Sequence, residues 1–546
     1  MTGTRGTRRR PRGRPLLLAA VPTAFLGLFF LWPLVRVLGR GLGVDATPLA
    51  PLWDVARDPR THEVVAFTAG QAVASTVLTL AVGLPVAGVL ARYRFRGRQV
   101  LEAATLVPFV LPTVVVGSAF VALLGRLAPV VDLRGTTWAI LLAHVFFNVS
   151  VVVRTVGGLW RHLDEAPLLA ARTLGAGPLR AFREVTLPRL RPAIMAASAV
   201  VFLFTFTSFG VVLILGGPGR STIEVEIHRA TAQLLDLRTA AALSVLQLLA
   251  VVATLGLYDR SRRHQAARPL ARTATTARPV RGVRARLAVG GAVALLATVQ
   301  GVPLLALGER ALRVGDGWGL DHFRTLGRPT REAVLSVVPA EAVVNSLAIA
   351  TVATLLALAV GTSAAVTAVS GGRVGRLMDG ALMLPLGTSA VTLGLGLLLA
   401  FRTGPFAGRG AVLLVPVAQA LVAVPFVVRT LLPVLRAIDR RLREAAATLG
   451  APPRRVWREV DLPIVSRAGL VAAGFSFAVT IGEFGATIFV ARASQPTIPV
   501  AIHRALGLPG EVNLGRAMAL SVLLALITGT VVLLIDRIRV GQVGRF

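Results

Sequence analysis

A chain of 546 residues that is 54% hydrophobic, with a mean hydropathy of +0.72, is too apolar for a soluble domain. Its formal net charge of +33 comes from arginine alone, and without lysine no P-loop G-x-x-x-x-G-K-[ST] can exist, so any ATP hydrolysis belongs to another chain. Cysteine is absent as well, which excludes disulfides and thiol chemistry, and no aromatic-studded basic domain is present to bind nucleic acid.

Apolar runs of about 20 residues, each able to cross a core of roughly 30 Å as a helix, recur along the whole chain. An all-α integral membrane protein follows, because irregular backbone facing lipid leaves polar groups unsatisfied. In chain order the runs predict twelve spans, at about 16–38, 64–91, 101–124, 137–158, 193–216, 238–258, 287–307, 343–369, 378–401, 411–432, 468–490 and 514–536. The first follows "MTGTRGTRRRPRGRP" and is too long for a signal-peptide core, so an uncleaved span is expected. Pro108 and Pro112 predict a kink in the third. Arginine sets the orientation. Arg5, Arg8, Arg9, Arg10, Arg12 and Arg14 precede the first span, Arg92, Arg94, Arg96 and Arg98 follow the second, and 259–286 holds nine arginines against Asp259. Placing these segments in the cytoplasm puts both termini there, and the opposite loops 39–62 and 308–342 mix charges evenly.

The Arg-rich segment 259–286 reads as a cytoplasmic linker between a first half, 1–258, and a second half, 287–546. The halves repeat. "AARTLGAGPLRAFREVTLP" (170–188) aligns without a gap on "AAATLGAPPRRVWREVDLP" (445–463), an offset of 275 that also relates Phe209-Gly210 to Phe484-Gly485 and His228 to His503. "LAVG" recurs at 80–83 and 358–361. Equivalent points lie an even number of spans apart, so they face the same side of the membrane. The halves are then parallel repeats about an axis along the membrane normal, with a pathway between them.

Within the two loops, at about 160–192 and 434–467, Gly175 and Gly450 each follow a short helical stretch and suit a left-handed turn. Pro178 and Pro453 suit the start of a second helix, and Pro188 and Pro463 precede the next span, so each loop is predicted to be a helix–turn–helix. An ordinary amphipathic interfacial loop is the plainer alternative, but two copies in register disfavour it. A pair of equivalent surfaces on one side points to a twofold partner.

The second loop resembles the E-A-A-x-x-x-G-A motif, followed by L-P, of ABC-importer permeases: Glu444, Ala445, Ala446, Gly450, Ala451, Leu462 and Pro463 fit it. The first loop carries Ala170, Ala171, Gly175, Ala176, Leu187 and Pro188 but has Leu169 at the glutamate position. The fused layout and the stretch "FTSFGVVLILGGPGRSTIEVEIHRAT" (206–231) are similar to the ferric-iron and thiamine branch. The resemblance implies the type I importer (MetI-like) permease fold of two six-helix repeats in the cell membrane. It implies coupling loops that dock on two copies of a cytoplasmic ATPase, with ATP and Mg2+ held by that partner, no cofactor on this chain, and an extracytoplasmic solute-binding protein.

Glu483 lies in an apolar span, with Ser208 as its counterpart. It reads either as a pathway residue meeting a cationic solute or as a structural hydrogen-bonding group. Phe209, Gly210, Phe484 and Gly485 are candidates for a twofold constriction or for plain helix packing. Glu224, Glu226 and His228 share an outward loop, where a gate or a binding-protein contact is favoured over a metal site, and His144 reads as a hydrogen-bonded core residue. No catalytic constellation is present. An ion-coupled secondary transporter is the rival function, and the duplicated Gly-Pro loops argue against it.

Overall fold

A computed structural model describes residues 13–44, 47–263, 277–328, 338–369, 372–382 and 384–543. Its described residues form helices almost throughout. Helix starts use local chemistry: Asp58, extended ahead of Pro59, accepts from the Arg60 and Thr61 backbone N–H groups at 3.2 Å and opens the helix Pro59–Arg92.

Ten helices among the described residues are long and apolar enough to cross a membrane, fewer than the twelve expected from the sequence. The expected spans 101–124 and 378–401 make the difference. In the first, Arg98–Val110 and Thr113–Leu127 meet at 101°, a far sharper turn than a kink, and counting the pair as one span gives eleven. Leu111 and Pro112 leave the helical region there, with ψ of 134° and 140°, as a residue crowded by a following proline does. In the second, the chain breaks into Gly372–Ala381, a single tight turn at Pro385–Gly387, and Ala390–Ala400. Eleven residues reach only roughly 16 Å, about half a bilayer core.

Among the described residues, four π-turns interrupt the helices, at Gly27–Leu31, Phe182–Thr186, Ala297–Gly301 and Trp457–Asp461. Each is centred four residues before a proline: Pro33, Pro188, Pro303 and Pro463. A proline ring collides with the carbonyl four residues back and offers it no N–H. Widening that turn to an i→i+5 bond, such as Leu187 N–H to Phe182 C=O, lets the helix pass the proline without ending. The loops therefore depart from the expected layout. Pro188 and Pro463 do not separate a loop helix from the next span. One helix runs from Pro178 to Phe206, and another from Pro453 to Ile481.

By internal contact the chain forms two compact units. One gathers Met1–Val37, Val344–Arg492 and Leu534–Phe546; the other gathers Leu38–Val343 and Ala493–Leu533. The first unit's core includes a ring cluster in which Phe29 meets Phe25, Phe401 and Phe406 at 5.4–5.7 Å. The second unit's core packs Val149, Val153 and Leu296 with Val86 and Leu90 of the helix Pro59–Arg92. The sequence repeat is also a repeat of packing. A Cβ on Gly83 would lie 2.7 Å from Val152, and one on Gly361 would lie 2.7 Å from Val427. Thr205 Oγ1 donates to the Ala72 carbonyl at 3.5 Å, and Thr480 Oγ1 to the Ala350 carbonyl at 3.5 Å. Small residues let these helices approach closely where dispersion, not water, drives association.

Of the linker, residues 264–276 lie outside the described residues. Its end is docked: Arg278 and Pro279 pair in parallel with Tyr93 and Arg94, and Arg278 reaches Glu165 at 2.5 Å. Gly361→Ala should lower stability in detergent by about 1–3 kcal/mol, because Val427 leaves no room for the methyl. Gly291→Ala, with nothing within 4 Å, should gain up to about 1 kcal/mol of helix propensity. Midpoints of denaturant unfolding compare the two.

Candidate functional site

The two duplicated segments are built alike, bond for bond. In the first, the helix Ala166–Thr173 stops at Gly175, whose φ is +89°. The Ala176 N–H donates to the Ala171 carbonyl at 3.0 Å and the Gly175 N–H to the Arg172 carbonyl at 3.1 Å. In the second, Arg440–Thr448 stops at Gly450, φ +79°. There Ala451 donates to Ala446 at 3.1 Å and Gly450 to Ala447 at 3.0 Å. The paired 6→1 and 5→2 bonds are a Schellman motif, which requires a left-handed residue at the glycine. Gly177 and Pro452 are then extended, and Pro178 and Pro453 start the long helices. Equivalent ion pairs brace each start, Arg180–Glu184 at 3.0 Å and Arg455–Glu459 at 2.9 Å.

All the motif positions lie together on these elbows. Ala170, Gly175, Pro188, Glu444, Ala445, Gly450 and Pro463 are exposed, and Ala171, Ala176, Ala446 and Ala451 are half-buried. No atom within 4 Å would meet a Cβ on either glycine. Beside each glycine stands a leucine that is not among the motif candidates read from the sequence. Leu174 and Leu449 are each 88% exposed, the most solvent-accessible large apolar side chains among the described residues. Their recurrence at the offset of 275 was the available signal.

The elbows differ in what secures them. Arg443 Nε donates to Asp461 at 2.7 Å in the second. In the first, Arg189 donates to the Asp164 carbonyl at 2.7 Å, and the linker's Arg278 holds Glu165. Arg92 lies over Trp160, which stacks on Phe182 of the first π-turn.

The long helices lead to the second group of candidates. After Phe206 the chain breaks, and Ser208, Phe209 and Gly210 are buried. Ser208 Oγ lies 2.8 Å from His144 Nε2, and His144 Nδ1 lies 2.9 Å from Ser75 Oγ. His144 is thus a hydrogen-bonded core residue. In the second half, Glu483 turns its carboxyl group back on its own chain. Oε1 accepts from Ala486 N–H at 2.7 Å, and Oε2 accepts from Thr487 N–H at 2.9 Å and from the Thr487 hydroxyl. The side chain caps the short helix Thr487–Val490. Gln419, the residue equivalent to His144, reaches Thr487 Oγ1 at 3.4 Å. Phe484 is buried, and a Cβ on Gly485 would lie 3.0 Å from Ala390.

Of the outward-loop acids, Glu224 is buried and accepts from Gln247 Nε2 at 2.7 Å. Glu226 accepts from Arg60 Nε and Ser221 Oγ, each at 3.2 Å. Both acids have partners of their own within the fold.

The family model for the inner membrane component of binding-protein-dependent transport systems matches residues 80–266. The sulfate transport system permease protein CysT of Salmonella typhimurium is 34% identical over 201 residues, covering 35% of this chain and 72% of that protein. The chain belongs to this permease family. The thiamine transport system permease protein ThiP of Brucella abortus is 28% identical over 498 residues, 86% of this chain and 85% of its own. A chain of a solved bacterial ABC transporter that imports alginate aligns over 46% of this chain and 96% of its own, at 15% identity and a TM-score of 0.39, a similarity too low to add to the argument. The protein is an ABC-importer permease subunit, a multi-pass membrane protein of a family that works with a separate ATPase and a solute-binding protein.

Glu483→Gln sets an amide NH2 against backbone donors that now meet a carboxyl oxygen. It should cost about 1–3 kcal/mol of stability while transport per folded molecule is kept. Unfolding midpoints and uptake normalised to folded protein measure the two effects separately.

Proposed function

We propose that this permease carries thiamine across the cytoplasmic membrane and is driven by two copies of an ATPase docked on its two glycine elbows. The carrying observation is the matched pair of Schellman-terminated helices, each presenting an exposed leucine beside an unobstructed glycine. A rigid elbow continuous with a long helix converts a push at Leu174 or Leu449 into a displacement at the helix's far end. The ATPase holds ATP and Mg2+, since this lysine-free chain has no P-loop.

For the solute, the support is the fused two-half layout. The thiamine permease of Brucella abortus matches 86% of this chain, whereas the sulfate permease matches 35%. Ferric iron is the second solute class the sequence brought forward. Orientation rests on arginine and on the repeat: with each broken segment, 98–127 and 372–400, counted as one crossing, both elbows fall on the side of the arginine-rich segments, which the positive-inside rule assigns to the cytoplasm.

In proteoliposomes with the ATPase and a loaded binding protein, labelled thiamine should enter only with ATP. Ferric iron entering instead reassigns the solute, and uptake that follows an ion gradient without ATP supports the secondary-transporter rival. Gly450→Asp and Gly175→Asp should leave the protein in the membrane and abolish solute-stimulated ATP hydrolysis. Gly450→Ala, which forces a Cβ into a left-handed residue at a cost of about 1 kcal/mol, should be milder. Wild-type stimulation in both aspartate variants would remove the elbows from the coupling path.

A further inference from the structure

The repeat brings one pair of equivalent side chains face to face. The helices Ile223–Ala232 and Ile498–Leu506 begin alike, after Thr222 (φ −90°, ψ 165°) and Thr497 (φ −84°, ψ 164°), which are equivalent residues. Each carries a histidine at its sixth position, His228 and His503. Their rings lie 6.5 Å apart, edge to face at 85°. His228 also lies 5.5 Å from Phe209, and Thr222 Oγ1 donates to the Ser208 carbonyl at 3.1 Å. A row of rings thus runs from the break after Phe206 to His503.

Residues exchanged by a twofold axis have their midpoint on that axis. At 6.5 Å, each ring lies within about half that distance of it, where parallel repeats place the pathway. Imidazole rings, unlike apolar ones, can take water as a hydrogen-bond partner once they part. They suit a contact that must part and be wetted.

We propose that His228 and His503 meet on the pseudo-twofold axis as the outer gate of the translocation pathway, closed in this conformation and separated when the solute-binding protein delivers its cargo. Phe209 backs the gate, and Ser208 anchors it to the end of the Pro178–Phe206 helix through Thr222. Burial, with the neighbouring His503 adding to it, holds His228 down to about 4, and burial with nearby Arg504 lowers His503. Both rings are therefore uncharged at neutral pH, and no like-charge repulsion opposes closure.

The proposal rests on the permease reading but not on the identity of the solute. The chain has no cysteine, so His228→Cys with His503→Cys introduces the only two thiols. In the full-length permease–ATPase complex in nanodiscs, dibromobimane, which fluoresces when it joins two thiols, should cross-link this double variant and neither single variant. The yield should change between the nucleotide-free and ATP-trapped complexes, and cross-linking should abolish thiamine uptake after reconstitution. No cross-link, a yield indifferent to nucleotide, or undiminished uptake in the cross-linked protein overturns the gate. If the protein before cross-linking takes up no thiamine, the solute assignment falls, and the nucleotide dependence still decides the gate. Should the double variant not fold, Zn2+ serves as the probe on the wild-type complex: bridging two imidazoles should inhibit its ATPase activity reversibly, and His503→Ala should lose that inhibition. Inhibition that is absent, or that persists in His503→Ala, overturns the proposal.

Discussion

A backbone donor or acceptor left without a partner in an apolar medium costs several kcal/mol, and the details of this structure follow from that constraint. Several breaks in the described spans are repaired by a nearby group. Before Pro188 and Pro463 the repair is a widened turn. Ahead of Ala390–Ala400 it is Ser389 Oγ, which accepts from Val391 and Thr392 N–H at 3.1 and 3.4 Å. After Ile481 it is the Glu483 carboxyl group. Ahead of the bend in the third span, where Arg98–Ala104 gives way to Leu106–Val110, the Thr105 carbonyl accepts from the Ser150 hydroxyl, which Gln300 Nε2 approaches to 3.2 Å.

That constraint also separates what was legible in the sequence from what was not. The glycine elbows were legible because a left-handed residue leaves a local signature, glycine followed by proline, and the signature occurs twice in register. The repeat was legible for the same reason, and it reaches down to the close approach of Gly83 to Val152 and of Gly361 to Val427. The continuity of the helix through Pro188 was not legible. Proline is a breaker in the local code, and whether a helix stops or widens depends on a carbonyl four residues back and on whether packing carries the chain onward. The length of the ninth span was hidden similarly: residues 380–401 carry no charged side chain, and hydropathy does not register the break at Pro385. Glu483 was ambiguous because its acceptors' partners, Ala486 and Thr487, lie only three and four residues on, a spacing shared by caps and by helix faces.

Helix continuity changes how a push is transmitted. A helix–turn–helix with a break at Pro188 would lose part of a displacement at that joint. The Pro178–Phe206 helix has 29 residues, roughly 43 Å at 1.5 Å per residue, enough to cross the membrane and project beyond it. One end carries the elbow with Leu174, and the other ends two residues before Ser208. The π-turn at Phe182–Thr186 widens its bonding register, and it is braced from outside: Trp160 stacks on Phe182, and Arg92 covers Trp160. Under the proposed docking, a push at the elbow meets this bracket before it travels along the helix.

The two halves reach the same geometry with different chemistry at the far end of that helix. In the first, His144 bridges Ser75 and Ser208; in the second, Gln419 reaches Thr487, which itself bonds Glu483. A duplicated frame needs equivalent positions to be held, but it does not need the same side chains to hold them. The frame is kept where helices touch through glycine and threonine, since there a single methyl is felt. At the breaks, any buried donor and acceptor that saturate the freed backbone suffice. His228 and His503 depart from that freedom. They are identical in both halves and meet each other, so there one repeat's side chain has to match its own counterpart rather than its local backbone.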